Sequence, residues 1–380
     1  MKKHVLVVFV AMTIAVVWTA TSLAAPPIKI GCANPLSGRV AFAGIPSKKT
    51  LDMMAEELNK AGGVSGRPIE LVHYDTEGKE DVTVRIFNRM IQKDEVTAII
   101  GPIESWTALA VIPTIEKTEI PTIMHASGSM LVKPVRKWVF KIAAHDELVL
   151  DKMLSHMKSK KIERVAVISS QDAFGEGGRD AVLSLVNNYG LKIVFDERIA
   201  GDETDVTPVL NKIKKTDAQA VVAWSSKRTP NVITINYRQI ALEQPLYISH
   251  AALGPDFLEG AGKHAEGVLT ASSKFAGAAE LPDSDMNKKV IMEYKEAFKK
   301  KYGEETNQFA AGAFDAFNIL TAAMKQAGDS KPKLRDAIEK TKGYVGTYGI
   351  FNYSPEDHAG LTKDAVVLYQ VVGGAWKPVQ

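Results

Sequence analysis

The chain has 380 residues, 46% hydrophobic and 24% charged, a composition that fits two to three folded domains and excludes a disordered chain. Its formal net charge is +3, and Lys2 and Lys3 stand in a leader without Asp or Glu, so the remainder balances 45 basic against 44 acidic residues. That near neutrality speaks against a nucleic-acid binder, which shows a basic face and a high pI.

Met1-Lys2-Lys3-His4 is a basic start, Val5 to Ala20 an apolar run, and Ser22-Leu23-Ala24 a set of small residues at cleavage positions. These are the three parts of a secretory signal peptide, so residues 1–25 are predicted to be removed near Ala24 or Ala25. The run is shorter than the roughly 20 residues of a spanning helix and no second span follows, so the mature protein is expected to be soluble in the periplasm. Cys32 has no partner for an internal disulfide, and Lys29-Ile30-Gly31 before it is not the apolar and small setting of a lipidated cysteine; it reads as a buried strand thiol.

Strand and helix then alternate. Ile28 to Cys32 reads as a strand, Lys48 to Lys60 as a helix ended by Ala61-Gly62-Gly63, Ile69 to Tyr74 as a strand and Asp81 to Gln92 as a helix. Val96 to Ile100 is a short apolar run, the mark of a strand buried on both faces, ended by Gly101-Pro102. Ser105 precedes Ala108, Leu109, Val111 and Ile112 and is predicted to be the N-cap of a helix. The next strand, Ile120 to Met124, ends in His125-Ala126-Ser127-Gly128-Ser129, a second hydroxyl-rich turn. Two such strand ends, one strand–helix unit apart, are expected to form a carboxylate cradle from hydroxyls and free backbone N–H groups.

The pattern restarts after Phe140-Lys141-Ile142. Helices are predicted over Leu148 to Met157, Gly178 to Tyr189, Val206 to Ile213 and Asn231 to Ala241. The strands between them are Val165 to Ser169, Leu191 to Phe195, Ala220 to Trp224, Leu246 to Ser249 and Gly267 to Ala271. The chain then crosses back into helices at Lys288 to Tyr302, Phe309 to Ala327 and Lys333 to Lys340. A Gly/Tyr loop at 343–349 follows, then a strand, Ala365 to Val372, with Gly373-Gly374 turning into Ala375-Trp376-Lys377. This alternation gives an α/β class with parallel sheets covered by helices on both faces.

The motifs of nucleophilic hydrolases, P-loop and dinucleotide-binding proteins and zinc proteases do not occur, and the eight histidines show no metal-ligand spacing. A binding protein without cofactor or metal is therefore the simpler account than an exported hydrolase.

Several stretches carry a family likeness: Ile28-Lys29-Ile30-Gly31 with Pro35-Leu36-Ser37-Gly38 and Ala41-Phe42-Ala43-Gly44; Asn59-Lys60-Ala61-Gly62-Gly63-Val64-Ser65-Gly66-Arg67; Tyr74-Asp75; Ile100-Gly101-Pro102 with Ser105; Ile120-Pro121; Phe174-Gly175-Glu176-Gly177; Ala265-Glu266-Gly267; and Asp315-Ala316. Together they resemble, in order along the chain, the leucine/isoleucine/valine-type periplasmic substrate-binding proteins of ABC transporters. The resemblance implies two doubly wound parallel-sheet lobes joined by three hinge crossings, the type I architecture, with a ligand in the cleft. The expected lobes are 26–145 with 273–346, and 146–272 with 347–380; the expected crossings are Lys141 to His145, Ala271 to Lys274 and Gly346 to Gly349.

It also implies site roles. Ser105 matches the serine that binds a ligand carboxylate, and Ala126 and Ser127 match the turn that supplies backbone groups and a hydroxyl. Phe174 matches an aromatic residue that closes the pocket, and Arg228 falls near another wall position. His250 falls where amino-acid binders carry the carboxylate that pairs with the ammonium, and a histidine supplies no fixed negative charge. Trp106, beside Ser105, is a further wall candidate, and His125 a weaker one.

The resemblance points to a monomeric periplasmic receptor, not an enzyme, that delivers a small carboxylate-bearing solute to an ABC permease and ATPase. Family habit favours a branched-chain or other apolar amino acid, whereas His250 and Arg228 favour an aromatic or other acid without an amino group. A ligand sensor for a membrane signalling protein is the reading from another class.

Overall fold

The computed structural model describes residues 26–379, so the predicted leader, residues 1–25, lies outside the described residues. The first five strands, β1 (Ile28–Asn34), β2 (Ile69–Asp75), β3 (Ala98–Ile100), β4 (Thr122–Met124) and β5 (Val139–Lys141), form a parallel sheet in the order β2-β1-β3-β4-β5. Its helices are α1 (Ala41–Lys60), α2 (Glu80–Gln92) and α3 (Ser105–Thr118). Every side chain of β3 and β4 is buried, as interior strands of a sheet covered on both faces require.

After β5 the chain leaves this sheet. It runs through α4 (Asp146–Ser159), β6 (Arg164–Ser170), α5 (Ala173–Leu185), β7 (Lys192–Ile199), α6 (Thr207–Ile213), β8 (Ala220–Trp224), α7 (Thr229–Gln239), β9 (Leu246–Ile248), α8 (Pro255–Ala261) and β10 (Leu269–Ser273). It returns with α9 (Met286–Tyr302), α10 (Gln308–Ala327) and α11 (Lys331–Glu339), of which α9 and α10 pack on α1. A two-stranded hairpin, β11 (Tyr344–Val345) and β12 (Ile350–Phe351), precedes β13 (Val366–Val372) and β14 (Ala375–Pro378). The second sheet has the order β14-β13-β10-β9-β8-β6-β7, with β13 antiparallel to β10 and β14 antiparallel to β13. This is the expected α/β class with two parallel-sheet lobes.

Several boundaries differ from the sequence expectation, each for a local reason. Helix α1 begins at Ala41, seven residues before the predicted start, and passes through Pro46. Proline removes the N–H that would bond the carbonyl four residues back, that of Phe42. Asn307 Nδ2 donates to that carbonyl instead, at 2.9 Å, so the break costs little and ties α1 to the start of α10. Helix α5 begins at Ala173 and takes in Gly-Glu-Gly-Gly, because Asp172 caps it by accepting from Gly175 N at 2.9 Å. The glycines serve packing here: a Cβ on Gly178 would lie 2.1 Å from the Trp224 ring. Strand β5 and helix α8, absent from the sequence reading, are too short for periodicity to reveal, with three and seven residues.

The third crossing also lies later than Gly346 to Gly349. Residues 350–361 still pack on the first sheet: Lys141 N donates to His358 O at 2.9 Å, and Tyr353 OH donates to Lys141 O at 2.9 Å. The passage to β13 is therefore within 361–366, because the segment after the hairpin first bonds the edge strand β5 through Tyr353 and His358.

Asp315 in α10 fixes that returning segment. It is fully buried and accepts from Thr347 N at 2.8 Å, Thr347 Oγ1 at 2.9 Å and Tyr348 N at 2.9 Å. Burial pushes its carboxyl up to about 7, and the donors oppose that by favouring the ionised form. Asp315→Asn aims an amide N–H at these donors, and is expected to lower the unfolding free energy in urea by about 3 kcal/mol.

Candidate functional site

The carboxyl ends of the two sheets face one another across a cleft that holds about 750 Å³ of empty space, open solvent included. The first lobe lines it with residues that follow β1, β3 and β4, and the second with residues that follow β6, β8, β9 and β10. This is where α/β sheets place ligands, since helix N-termini and turn amides converge there.

Helix α3 starts one residue earlier than predicted. Ser105 is its first helical residue, and Glu104 takes the N-cap position with no side-chain bond to the helix amides. The Ser105 hydroxyl does not cap α3; its oxygen accepts from Gly128 N at 3.2 Å, which leaves its proton free for an anion in the cleft. Ser127, in the next turn, also lines the cleft, and its carbonyl accepts from Lys141 Nζ. Lys141 has no exposed surface and stands beside Asp146, the first residue of α4. Burial disfavours both charges, raising the Asp146 carboxyl and lowering the Lys141 ammonium, while each charge favours the other. Ala126 is 1% exposed and belongs to the first lobe's core, so its side chain is not part of the cleft lining.

The walls are mostly apolar. Trp106 lines the first-lobe side and donates from Nε1 to Gly78 O at 3.0 Å. Phe174, in the first turn of α5, stacks on Trp224 with ring centroids 5.8 Å apart and an interplanar angle of 28°. Phe42 and Phe309 meet edge to face at 5.6 Å.

His250 lines the second-lobe side, its ring 5.5 Å from both Phe174 and Trp224. Burial pulls its pKa down to about 3, helped by the charge of Lys141, so the ring is neutral at physiological pH. Nearby, Gln308 Nε2 donates to the carbonyls of His250 and Leu253 at 3.0 and 3.1 Å, and its Oε1 accepts from Ser272 Oγ at 3.0 Å. His125 shares a hydrogen bond of 2.8 Å with Tyr348 OH.

Arg228 is exposed and outside this lining; it borders a neighbouring crevice together with Arg39. The reason is local. Lys227 takes a left-handed backbone, φ 60°, and turns its own ammonium over the Trp106 ring at 4.4 Å, which sends the next side chain outward. The structure thus brings Ser105, Trp106, Ser127, Phe174 and His250 to one cleft, with His125, and leaves Ala126 and Arg228 outside its lining.

Sequence reasoning passed over Glu104, Lys227, Phe42, Phe309, Gln308 and Tyr348, all of which line the cleft. Phe42 stands inside a quoted family stretch and Glu104 beside Ser105, so position was a usable signal for these two. Lys227 stands beside Arg228 in the turn after β8, and Gln308, Phe309 and Tyr348 reach the cleft only after the chain returns to the first lobe.

A double-lobed α/β frame with a mainly apolar cavity between the sheet ends defines a ligand-binding protein with an interlobe cleft. A model of the periplasmic binding protein family matches residues 27–375, and the chain belongs to that family, with the type I architecture. It is 25% identical over 338 residues to the leucine-, isoleucine-, valine-, threonine- and alanine-binding protein of Pseudomonas aeruginosa, covering 87% of this chain and 86% of that one. A Leu/Ile/Val-binding protein homologue of Brucella melitensis is 24% identical over 340 residues, with 88% and 89% covered. Among solved structures, an extracellular ligand-binding receptor from Rhodopseudomonas palustris HaA2 matches with a TM-score of 0.87 at 23% identity, covering 93% of this chain and 99% of that one. These relatives are binding proteins by name, not enzymes.

The buried histidines set one pH effect. Burial first, then the charges of His250 and Lys141, lower the His125 pKa to about 3. The unfolded ring takes its proton near pH 6.5, so this contribution to stability is complete above that pH and is lost as pH falls. Glu104 and Asp315, raised to about 7, act in reverse: their contribution is lost as pH rises from about 4 to 7. The variant His125→Gln isolates the histidine. Its urea unfolding, compared with wild type at pH 6.5 and 4.5, is expected to show the wild-type advantage shrinking by about 2 kcal/mol on acidification.

Proposed function

We propose that this protein is an exported receptor that captures a small carboxylic acid in its interlobe cleft and presents it to the permease and ATPase of an ABC importer. The observation that carries this reading is the polarity of the cleft. At one end Ser105 and Ser127 stand with the first turn of α3, above the buried ammonium of Lys141. Across from them the second lobe contributes no carboxylate to the lining, and His250 is neutral. An α-ammonium group would leave water there without an anionic partner from that lobe, at a cost that an acid lacking the amino group avoids. The apolar and aromatic walls fit the body of such a ligand.

In this reading Ser105 and Ser127 hold the carboxylate, backbone groups at Ala126 assist, and Trp106, Phe174 and His250 form the walls. The three passages between lobes act as hinges, and closure creates the surface that the permease reads. The leader supports export, and the receptor is expected to act as a monomer. The second reading, a branched-chain or other apolar amino acid, is favoured by what the Pseudomonas and Brucella relatives are named for.

Calorimetry with benzoate and with isoleucine separates the two readings. Benzoate is expected to bind and isoleucine not to. A charge-assisted hydrogen bond is worth roughly 1.5 to 3 kcal/mol, so Ser105→Ala is expected to weaken benzoate by about tenfold to a hundredfold. Isoleucine binding with benzoate inactive would establish the amino-acid reading, and unchanged affinity in Ser105→Ala would remove the cradle.

A further inference from the structure

One carboxyl in the cleft is left without a role by the reading above. Glu104 lines the cavity at 6% exposure; its Oε2 accepts from Thr107 Oγ1 at 2.9 Å, and its Oε1 has no hydrogen-bond partner among the described residues. Although adjacent in sequence, Glu104 and Ser105 diverge. Ser105 Oγ faces the turn after β4, where it meets Gly128 N. Glu104 Oε1 instead lies against the segment after β2, where a Cβ on Gly78 would be 3.2 Å from it and 2.7 Å from Val40, which follows β1. In the order β2-β1-β3-β4, the ends of β1 and β4 stand two strand spacings apart, about 10 Å. Phe42, Trp106, Phe174 and Phe309 supply the apolar surface of this cavity.

The second lobe brings a cation to the Glu104 side. Lys227 lines the same cavity, makes no ion pair among the described residues, and holds its ammonium 4.4 Å from the centroid of the Trp106 ring. Trp106 is in turn anchored to Gly78 O, beside Glu104 Oε1.

We propose that Glu104 and Lys227 form a second polar subsite, which receives a hydroxyl group that the ligand carries far from its carboxylate. The ligand class is then a hydroxylated aromatic acid. This deepens the carboxylic-acid reading and rests on it. A hydroxyl donates and accepts at once, so it matches a cavity whose lining offers both a carboxylate acceptor and an ammonium donor. A distal ammonium would meet the like charge of Lys227, and a distal carboxylate the like charge of Glu104. Burial raises the Glu104 pKa to about 7 while Lys227 opposes the rise, so an added donor relieves an oxygen that is otherwise desolvated without a bond.

Calorimetry on the purified protein at pH 7.5 tests this with three pairs of probes: benzoate and 4-hydroxybenzoate, phenylacetate and 4-hydroxyphenylacetate, cinnamate and 4-hydroxycinnamate. In at least one pair the hydroxylated acid is expected to bind about tenfold tighter or better. Glu104→Leu and Lys227→Met are each expected to shrink that ratio below about threefold, the ratio within each pair cancelling any change common to both acids. Glu104→Gln, which keeps a group able to bond Thr107, replaces Glu104→Leu if that variant does not fold, and is also expected to lower the ratio. Ratios below about threefold in every wild-type pair, or unchanged in both variants, overturn the subsite. If the plain acids bind and lose affinity in Ser105→Ala while the hydroxyl has no effect, only the subsite falls. If no acid binds and isoleucine does, the carboxylic-acid reading falls and the subsite with it.

Discussion

The burial of one lysine organises the centre of this molecule. Lys141 ends β5 with no exposed surface, and an ammonium out of water must find partners or lose its proton. It finds Ser127 O, the ring of His145 at 3.4 Å, and the charge of Asp146. Its backbone is held as well, the N–H by His358 O and the carbonyl by Tyr353 OH. One residue thereby joins the first passage between lobes, the segment before the third passage, and the turn that carries Ser127. The turn that carries Ser127 is thus fixed from behind by a buried charge outside the cleft lining, the kind of support that keeps a site's geometry without exposing the groups that set it.

The electrostatics of the cleft follow from what is neutral as much as from what is charged. His125 of the first lobe and His250 of the second lose their protons to burial, so both present neutral rings, and the second-lobe wall carries no carboxylate, only the ammonium of Lys227. Gln308 does similar work with a neutral amide: from the first turn of α10 it bonds two carbonyls and a serine of the second lobe. The charged groups near the cleft are Lys141 with Asp146 below Ser127, and Glu104 and Lys227 in the lining. Separation of the charged places by apolar surface favours a ligand that is itself polar at its ends and apolar between.

The fold was legible because its strands are short apolar runs between glycine and proline signals, and because helices recur at a steady interval. Ala220–Trp224 was read with its observed bounds, since an interior strand buried along its whole length announces itself by composition alone. The failures came where tertiary contacts overrode a local rule. Pro46 reads as a helix break until Asn307 is seen to satisfy the carbonyl it frees. The glycines after Phe174 read as a turn until Trp224 is seen to fill the space beside Gly178. In the cleft, Ser105 and Ser127 were legible as polar residues at strand ends. Arg228 was misplaced by one position because the left-handed backbone of Lys227 leaves no mark in the sequence.

Several of the direct contacts between the two lobes at the mouth of the cleft are weak. Arg39 and Asp202 approach to 3.8 Å with both side chains about two-thirds exposed, a geometry in which solvent screens most of the attraction. Lys227 over Trp106 adds a cation–π contact worth about 0.5 to 1 kcal/mol where it remains solvated. Met130 of the first lobe reaches Gly177 of the second, where a Cβ would lie 2.7 Å from its terminal methyl, and contributes only dispersion. A ligand that bonds Ser105 on one lobe and packs on Phe174 of the other adds terms comparable to or larger than any of these. If the proposed receptor closes on its ligand, the population of the closed form follows the ligand's own contacts, since a ligand shifts such an equilibrium only by its differential affinity for the two states. In that reading the exposed contacts at the mouth add little to either state, the buried bonds of Gln308 also tie the lobes, and selectivity rests on the cleft walls.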